Sequence, residues 1–402
     1  SSADQLNYLG KTFVDYDVLR PGGSHGGTGG VYTKQTDLSA YGYGDFRAPS
    51  YPGSPGNKNH SNGNGGGVVF VRSTGNCHLE GTSARISVKP NLNQNGASGG
   101  SIYMRCLNFS ANNLSTSVPS ITANGVSGYC SSKIEGSSGA GGGGRVSLIA
   151  EGTNGASDFM GDLAYPNSST FNSFLSRVQA IGGGINPSCS GNYSNGGAGT
   201  IYLEHSGQRT GGQYLGALII HNFKAKLSTG MSFRNAQTVL RDADVVVGTL
   251  DISNGAAVLA LGNVNAVNGS ILGGSSLLSF KAGALKVNGV FTNGFYDTDY
   301  STTSAARGSI EHTYFEADHI RTLYHAYPST NNVPNITFKS INATDTNING
   351  GTIYSESHTG ANITLNKTSS YYGKNINLTG NFTINDTAKL THLDGAKTLK
   401  PG

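Results

Sequence analysis

Gly141-Gly142-Gly143-Gly144-Arg145-Val146-Ser147-Leu148-Ile149-Ala150 is the stretch whose reading decides the fold class. A glycine run opens directly into a segment where Val146, Leu148 and Ala150 recur at every second residue, the period of a half-buried β-strand. The same order appears three more times. Gly65-Gly66-Gly67 leads into Val68-Val69-Phe70-Val71, Gly99-Gly100 into Ser101-Ile102-Tyr103-Met104-Arg105, and Gly196-Gly197-Ala198-Gly199 into Thr200-Ile201-Tyr202-Leu203-Glu204. Shorter strands lie between them at Ile86-Ser87-Val88, Ile121-Thr122-Ala123 and Val178-Gln179-Ala180-Ile181. Glycine here is expected to supply left-handed corners and room for tightly stacked turns. The loops between units vary in length, as they do on one flank of a β-solenoid.

Beyond residue 213 glycine thins out and Asn, Thr, Ser and aliphatic residues take over. Thr249-Leu250-Asp251-Ile252, Ser270-Ile271-Leu272 and Val290-Phe291-Thr292 sit about 20 residues apart, which fits one coil of a parallel β-helix with three short strands and three corners. The pattern resumes after residue 334, at Ile336, Ile348, Ile363, Ile376 and Phe382. The sequence thus predicts an all-β fold, a parallel β-helix that the general crossover preference makes right-handed. It divides into a Gly-rich domain over 1–212 with long loops and an Asn/Thr-rich β-solenoid over 213–402. A Tyr-, His- and charge-rich stretch at about 294–333 reads as a loop insertion, with a two-sided helix over 310–323 as its one helical candidate.

Composition narrows the function classes. Glycine is 60 of 402 residues and charged residues are 12%, roughly twice and half their usual shares. That excludes a coiled coil, a helical bundle and a charged disordered chain. A net charge of +4 argues against a nucleic-acid binder, and no apolar run is long enough to span a membrane as a helix. The chain starts Ser1-Ser2-Ala3 without Met, as expected of a mature exported chain. Its four cysteines, Cys77, Cys106, Cys130 and Cys189, suggest two disulfides. Sequence order favours Cys77–Cys106 with Cys130–Cys189, and two other connectivities remain open. Asn-x-Ser/Thr sequons stand at Asn59, Asn108, Asn113, Asn167, Asn192 and Asn268, and seven more cluster at Asn335, Asn342, Asn362, Asn366, Asn377, Asn381 and Asn385. They read either as glycosylation sites of a secreted protein or as by-products of an Asn/Thr-rich solenoid.

The first half resembles a Gly-rich repeat of large secreted surface proteins of bacteria and protists, many of them adhesin-like. The resemblance rests on Gly22 to Gly30, Gly99-Gly-Ser-Ile-Tyr-Met104, Ile121-Thr-Ala-Asn-Gly125, Gly141-Gly-Gly-Gly-Arg-Val-Ser-Leu148 and Gly197-Ala-Gly-Thr-Ile-Tyr-Leu203, in that order. It covers roughly residues 20–210 and implies a β-helical extracellular surface protein. It brings no catalytic residues.

Chemistry-bearing patterns are sparse. Gly141 to Arg145 lacks the Lys of a phosphate loop and leads into a strand. Gly44-Asp45 stands alone, without the arrays of a calcium-binding nonapeptide repeat. Polysaccharide-cleaving β-helices need paired carboxylates in a groove, and Asp242/Asp244 and Asp297/Asp299 have the required two-residue spacing. Glu311, His312, Glu316, Asp318, His319 and His325 offer metal-ligand types if 310–323 is a helix. Tyr41, Tyr43, Tyr51, Tyr103, Tyr202, Tyr371 and Tyr372 are candidates either for sugar stacking or for ladders along solenoid faces. The reading that accounts for most of these features is an extracellular structural or adhesive protein, a non-catalytic, self-assembling subunit of a surface fibre or filament. No cofactor or metal is implied. Its partners are other copies of itself, end to end, and cell-surface glycans, with no nucleic acid and no membrane span. The alternatives are a carbohydrate-binding or polysaccharide-cleaving β-helix protein of the tailspike or lyase kind, and a ligand-binding module of a larger adhesin.

Overall fold

The computed structural model describes residues 22–30, 42–56, 64–91, 96–112, 119–129, 138–152, 177–184, 195–222, 238–242, 244–253, 256, 258–260, 263–266, 271–272, 280–282, 285–295, 309–312, 315–324, 335–349, 352–366 and 369–392. Its regular structure is essentially all-β, with one short 3-10 turn at Ser206–Gln208 among the described residues, and is built mainly of parallel strands. The chain falls into two compact units, Ser1–Val239 and Leu240–Gly402. The change in composition at residue 213 lies inside the first of them.

The first unit contains β1 (Val68–Arg72), β2 (Cys77–Glu80), β3 (Ile86–Ser87), β4 (Ser101–Cys106), β5 (Phe109–Asn112), β6 (Ile121–Thr122), β7 (Arg145–Ala150), β8 (Val178–Gln179) and β9 (Thr200–His205). The four strands that follow glycine runs form one parallel ladder, β1-β4-β7-β9, in the register Val68↔Ser101↔Arg145↔Thr200. The shorter strands form two more, with Ile86↔Ile121↔Val178 and Cys77↔Phe109. In parallel pairing, residues at matched positions face the same way. The inward positions Ile102, Met104, Val146, Leu148, Ile201 and Leu203 therefore stack with Ile121, Val178 and Phe109 into one core. Ala217–His221 closes the β9 side by pairing antiparallel, with Ala217 opposite Leu203.

The strands β4, β7 and β9 are not half-buried as their alternation suggests; both faces are covered. The segment 42–54 lies across the outward face. Ser101 Oγ donates to Tyr51 O (2.6 Å), Ser147 Oγ to Arg47 O (2.6 Å) and Arg145 Nε to Tyr43 O (2.9 Å). Phe46, 1% exposed, packs edge-on to Tyr202 with ring centroids 5.5 Å apart.

The glycine runs also differ from expectation. Positive φ among the described glycines is confined to Gly44, Gly81, Gly96, Gly211 and Gly212, so Gly141 to Gly144 is not a left-handed corner. It is an extended segment bonded to neighbours on several sides. Gly141 N donates to Val126 O, Gly142 N to Gly23 O, Gly143 N to Gly197 O and Gly144 N to Ala123 O, at 2.7–2.9 Å. The first and fourth bonds return to the same neighbouring segment, 123–126. Bond direction thus repeats every third residue, the period of a polyproline II helix. A Cβ on Gly142 would run into the carbonyl oxygen of Gly27, and on Gly143 into that of Ala180. Glycine is required here because backbones touch.

In the second unit the spacing near 20 becomes ladder register: Leu250↔Ile271↔Phe291 joins the three segments with that spacing. Further on, Asn335↔Thr352↔Ser370↔Lys389 steps along the strands Asn335–Asn349, Thr352–Asn366, Ser370–Leu378 and Lys389–His392. The loop insertion at 294–333 and its helix are corrected in part. Residues Ser309–His312 and Phe315–Tyr324 are strands, paired in parallel with Phe280–Ala282 and Leu285–Phe295 on one side and with Asn335–Asn349 on the other. Ladder neighbours on both sides outweigh the weak helical period of that stretch.

Candidate functional site

Cys77 opens β2 and Cys106 closes β4, and the two form a disulfide with Cα atoms 5.8 Å apart, within the usual span of such bonds. It ties β4, the second strand of one ladder, to β2, the first strand of another. Cys130 and Cys189 lie outside the described residues.

That bridge sits at an open edge. β1 pairs with β4, and among the described residues no strand pairs with its other side. Val68 is 41% and Phe70 53% exposed. Phe70 stacks on Tyr103 at 4.8 Å, and the Arg72 guanidinium lies 5.4 Å from the Phe70 ring centre. In the second unit Phe382–Ile384 pairs only with Thr352–Asn366, and Lys389–His392 only with Ser370–Leu378, among the described residues. Ile384 there is 48% exposed.

The sequons fall into columns. Ile363 pairs with Phe382, which brings Asn381 beside Asn362 and Asn385 beside Asn366. Asn381 N donates to Asn362 Oδ1 at 2.9 Å and Asn385 Nδ2 to Asn366 Oδ1 at 2.7 Å. Asn108 Nδ2 donates to Asn76 Oδ1 at 3.3 Å, a short ladder in the first unit. Asn377 is exposed beside Thr359, which in turn pairs with Asn342, and Asn335 heads its strand. Asn59, Asn113, Asn167, Asn192 and Asn268 lie outside the described residues.

The carboxylate candidates do not assemble into a described groove. Asp242 is exposed before the strand that Asp244 starts, and Asp297, Asp299 and His325 lie outside the described residues. Glu311, His312, Glu316, Asp318 and His319 fall on strands. The shared helix that would group them as metal ligands is therefore absent from 309–312 and 315–324, and strands alternate their side chains instead. Among the described residues no three His, Cys, Asp or Glu side chains gather as a metal site. No described helix is long and apolar enough to cross a membrane.

Several polar clusters left no mark in the sequence. His25 is fully buried and its Nδ1 donates to Gly99 O at 2.9 Å. Burial first, and then the charge of Arg145, push it down to about 3. His358, also fully buried, meets Tyr371 Oη through Nδ1 (2.7 Å) and Thr346 Oγ1 through Nε2 (3.2 Å), and burial lowers it to about 4. Tyr371 is held above the ordinary tyrosine value by burial. Both histidines are sealed from solvent, so a substrate does not reach them. Nearer the surface, Arg209 bridges Glu151, through Nη1 at 2.7 Å and Nη2 at 3.0 Å, and Glu204, through Nε at 2.6 Å. Arg105 also pairs with Glu151. The Arg209 hydrogen bonds hold Glu151 below the usual carboxylate range. Tyr202 Oη completes the cluster by donating to Glu204 Oε2 at 2.6 Å. Of the tyrosines read as sugar-stacking candidates, Tyr43, Tyr103, Tyr202 and Tyr371 are buried. Tyr372, half-buried, stacks on Tyr354 at 4.8 Å, the distance between neighbouring strands. Tyr41 lies outside the described residues.

No protein-family model, no curated protein and no solved structure matches the chain.

Proposed function

We propose that the parallel ladders belong to a right-handed β-solenoid, and that the protein is an extracellular structural or adhesive subunit whose copies associate through their strand edges, without catalysis. The observation that carries this reading is a pair of parallel edges with no second strand partner among the described residues, β1 in the first unit and Phe382–Ile384 with Lys389–Thr391 in the second. An unpaired edge presents a row of free N–H and C=O groups, and soluble proteins ordinarily blunt such edges. Among the described residues, three of the five exposed large apolar side chains, Val68, Phe70 and Ile384, lie on these edges. Low charge and the Cys77–Cys106 disulfide agree with an oxidising, extracellular setting. So does the resemblance of residues 20–210 to secreted surface repeats. Pairing of two different edges is heterologous and propagates as a filament. Electron microscopy and light scattering of the purified protein test the reading. Regular filaments growing with concentration are expected; a strictly monomeric protein up to high concentration refutes it.

A further inference from the structure

We propose that the β1–β2 edge of one copy docks on the Phe382–Thr391 edge of a second copy, in the parallel register Val69↔Phe382, Val71↔Ile384 and Cys77↔Leu390. This rests on the self-association reading and names the surfaces that join.

Three features converge on this register. The first is spacing. Val69, Val71, Cys77 and Leu79 are the inward positions of β1 and β2, packed against the first unit's core. On the other edge Phe382 and Ile384 continue the column of buried Ile363 and Leu365, and Leu390 continues that of buried Tyr371. Both edges therefore present inward positions separated by two and six residues. One constant offset aligns all three, with no bulge between the two strands of either edge.

The second feature is hydrogen-bond phase. In a parallel ladder alternate residues turn both N–H and C=O to the same neighbour. Ser101 N donates to Gly67 O and Ser73 N to Arg105 O. Val69 and Val71 therefore bond inward, and Phe70 and Arg72 turn their groups to the open side. On the other edge Ile363 N donates to Asn381 O and Asn385 N to Leu365 O, so Phe382 and Ile384 turn theirs outward. Parallel pairing sets a bonding residue opposite a non-bonding one. Phe382 opposite Val69 and Ile384 opposite Val71 meets that demand. The second strand agrees independently. Cys77 N donates to Asn108 O and Lys389 N to Ser369 O, leaving His78 and Leu390 to bond outward, so Leu390 again faces a non-bonding residue, Cys77.

The third feature bears on parallel self-pairing of β1. Two β1 edges laid in parallel would need Phe70 opposite Val69 or Val71, which sets an outward side chain against an inward one. A one-residue slip of this kind moves the whole apolar set to the wrong face. The matched parallel partner for β1 is thus the other edge, on a second copy.

The test uses the full chain with two single variants, Phe70→Cys and Thr383→Cys. Their side chains face outward and stand opposite each other in the proposed register. Both are checked for folding by circular dichroism, then treated with a short thiol–thiol cross-linker alone and mixed, with the unsubstituted protein as control. The expected result is a covalent dimer in the mixture only, with the peptides containing residues 70 and 383 joined by mass spectrometry. Ile384→Pro removes one outward N–H and is expected to cut the cross-linked yield to the control level. Assemblies seen by light scattering with no 70–383 link overturn the register while leaving self-association standing. So does Phe70→Cys linking to itself. Absence of assemblies from the unsubstituted protein overturns the self-association reading and this inference with it.

Discussion

Gly143→Ala tests the reason the first unit is so rich in glycine. Gly143 N donates to Gly197 O, and Gly143 O accepts from Gly27 N, both at 2.9 Å. A methyl group on Gly143 would collide with the carbonyl of Ala180 and the nitrogen of Gly199. Both obstacles are backbone, so no rotamer change relieves the clash and the segments must move apart. Overpacking of this kind costs about 1–3 kcal/mol. Separation also weakens two hydrogen bonds worth about 1 kcal/mol each, for a total of roughly 3–5 kcal/mol. At about 2–4 °C per kcal/mol for a unit of this size, the melting temperature should fall by roughly 6–20 °C. Gly184→Ala is the control. Nothing lies within 4 Å of a Cβ built there, and its φ is not left-handed. It should be neutral or stabilising by up to about 1 kcal/mol through the unfolded chain. Denaturant titration followed by circular dichroism gives both values. Native-state hydrogen exchange at the Gly27 and Gly143 amides reports whether the damage is local. If Gly143→Ala unfolds at the wild-type midpoint, or Gly184→Ala costs as much, backbone contact is not what the glycines provide.

Reducing Cys77–Cys106, which are 29 residues apart, should remove about 3–4 kcal/mol of unfolded-state constraint; equal denaturation midpoints with and without reductant would count against this. His358 titrates at about 4 in the fold against 6.5 in the free side chain, so the unfolded chain takes up its proton first as pH falls. The stabilisation is full above about 6.5 and is lost between there and about 4. Melting curves across that window should slope downward with acid in the wild type and less steeply in His358→Gln. Ladder strands lie about 4.8 Å apart, too close for two branched sugars, so glycopeptide mass spectrometry should find no molecule glycosylated at both Asn362 and Asn381, or at both Asn366 and Asn385. A doubly occupied pair would show that these strands are not stacked as described.

What the sequence makes legible is whatever one strand states alone. Val146, Leu148 and Ala150 alternate because β7 turns them to the core, and that period can be read without knowing its neighbours. Leu250, Ile271 and Phe291 recur because successive parallel strands set them in one register. Features that need a second segment leave no such trace. The 42–54 cover is held by Ser101, Arg145 and Ser147 side chains reaching main-chain carbonyls, and a carbonyl has no residue type. Gly141 to Gly144 looks the same whether it turns a corner or threads between neighbours. The difference lies in segments 23–28, 123–126 and 197, far away in the chain. Phe315–Tyr324 has apolar residues at uneven intervals. The strands Leu285–Phe295 and Asn335–Asn349 on either side decide its state.

The Asn362 and Asn381 sequons follow from the same geometry. Asn362 is half-buried, Ile363 fully buried and Thr364 half-buried; Asn381, Phe382 and Thr383 repeat the order on the next strand of the ladder, with Asn381 and Thr383 exposed. Outward Asn favours amide ladders of the kind made by Asn385 and Asn366, inward positions demand an apolar residue, and outward Thr suits a strand. Written along the chain, outward Asn, inward apolar and outward Thr is an Asn-x-Thr sequon. A ladder of such strands produces sequons at the ladder spacing whether or not they carry sugar. The number of sequons is therefore no guide to glycosylation here. Occupancy at isolated positions such as Asn377, where the amide is exposed and its ladder neighbour is Thr359, is the informative measurement.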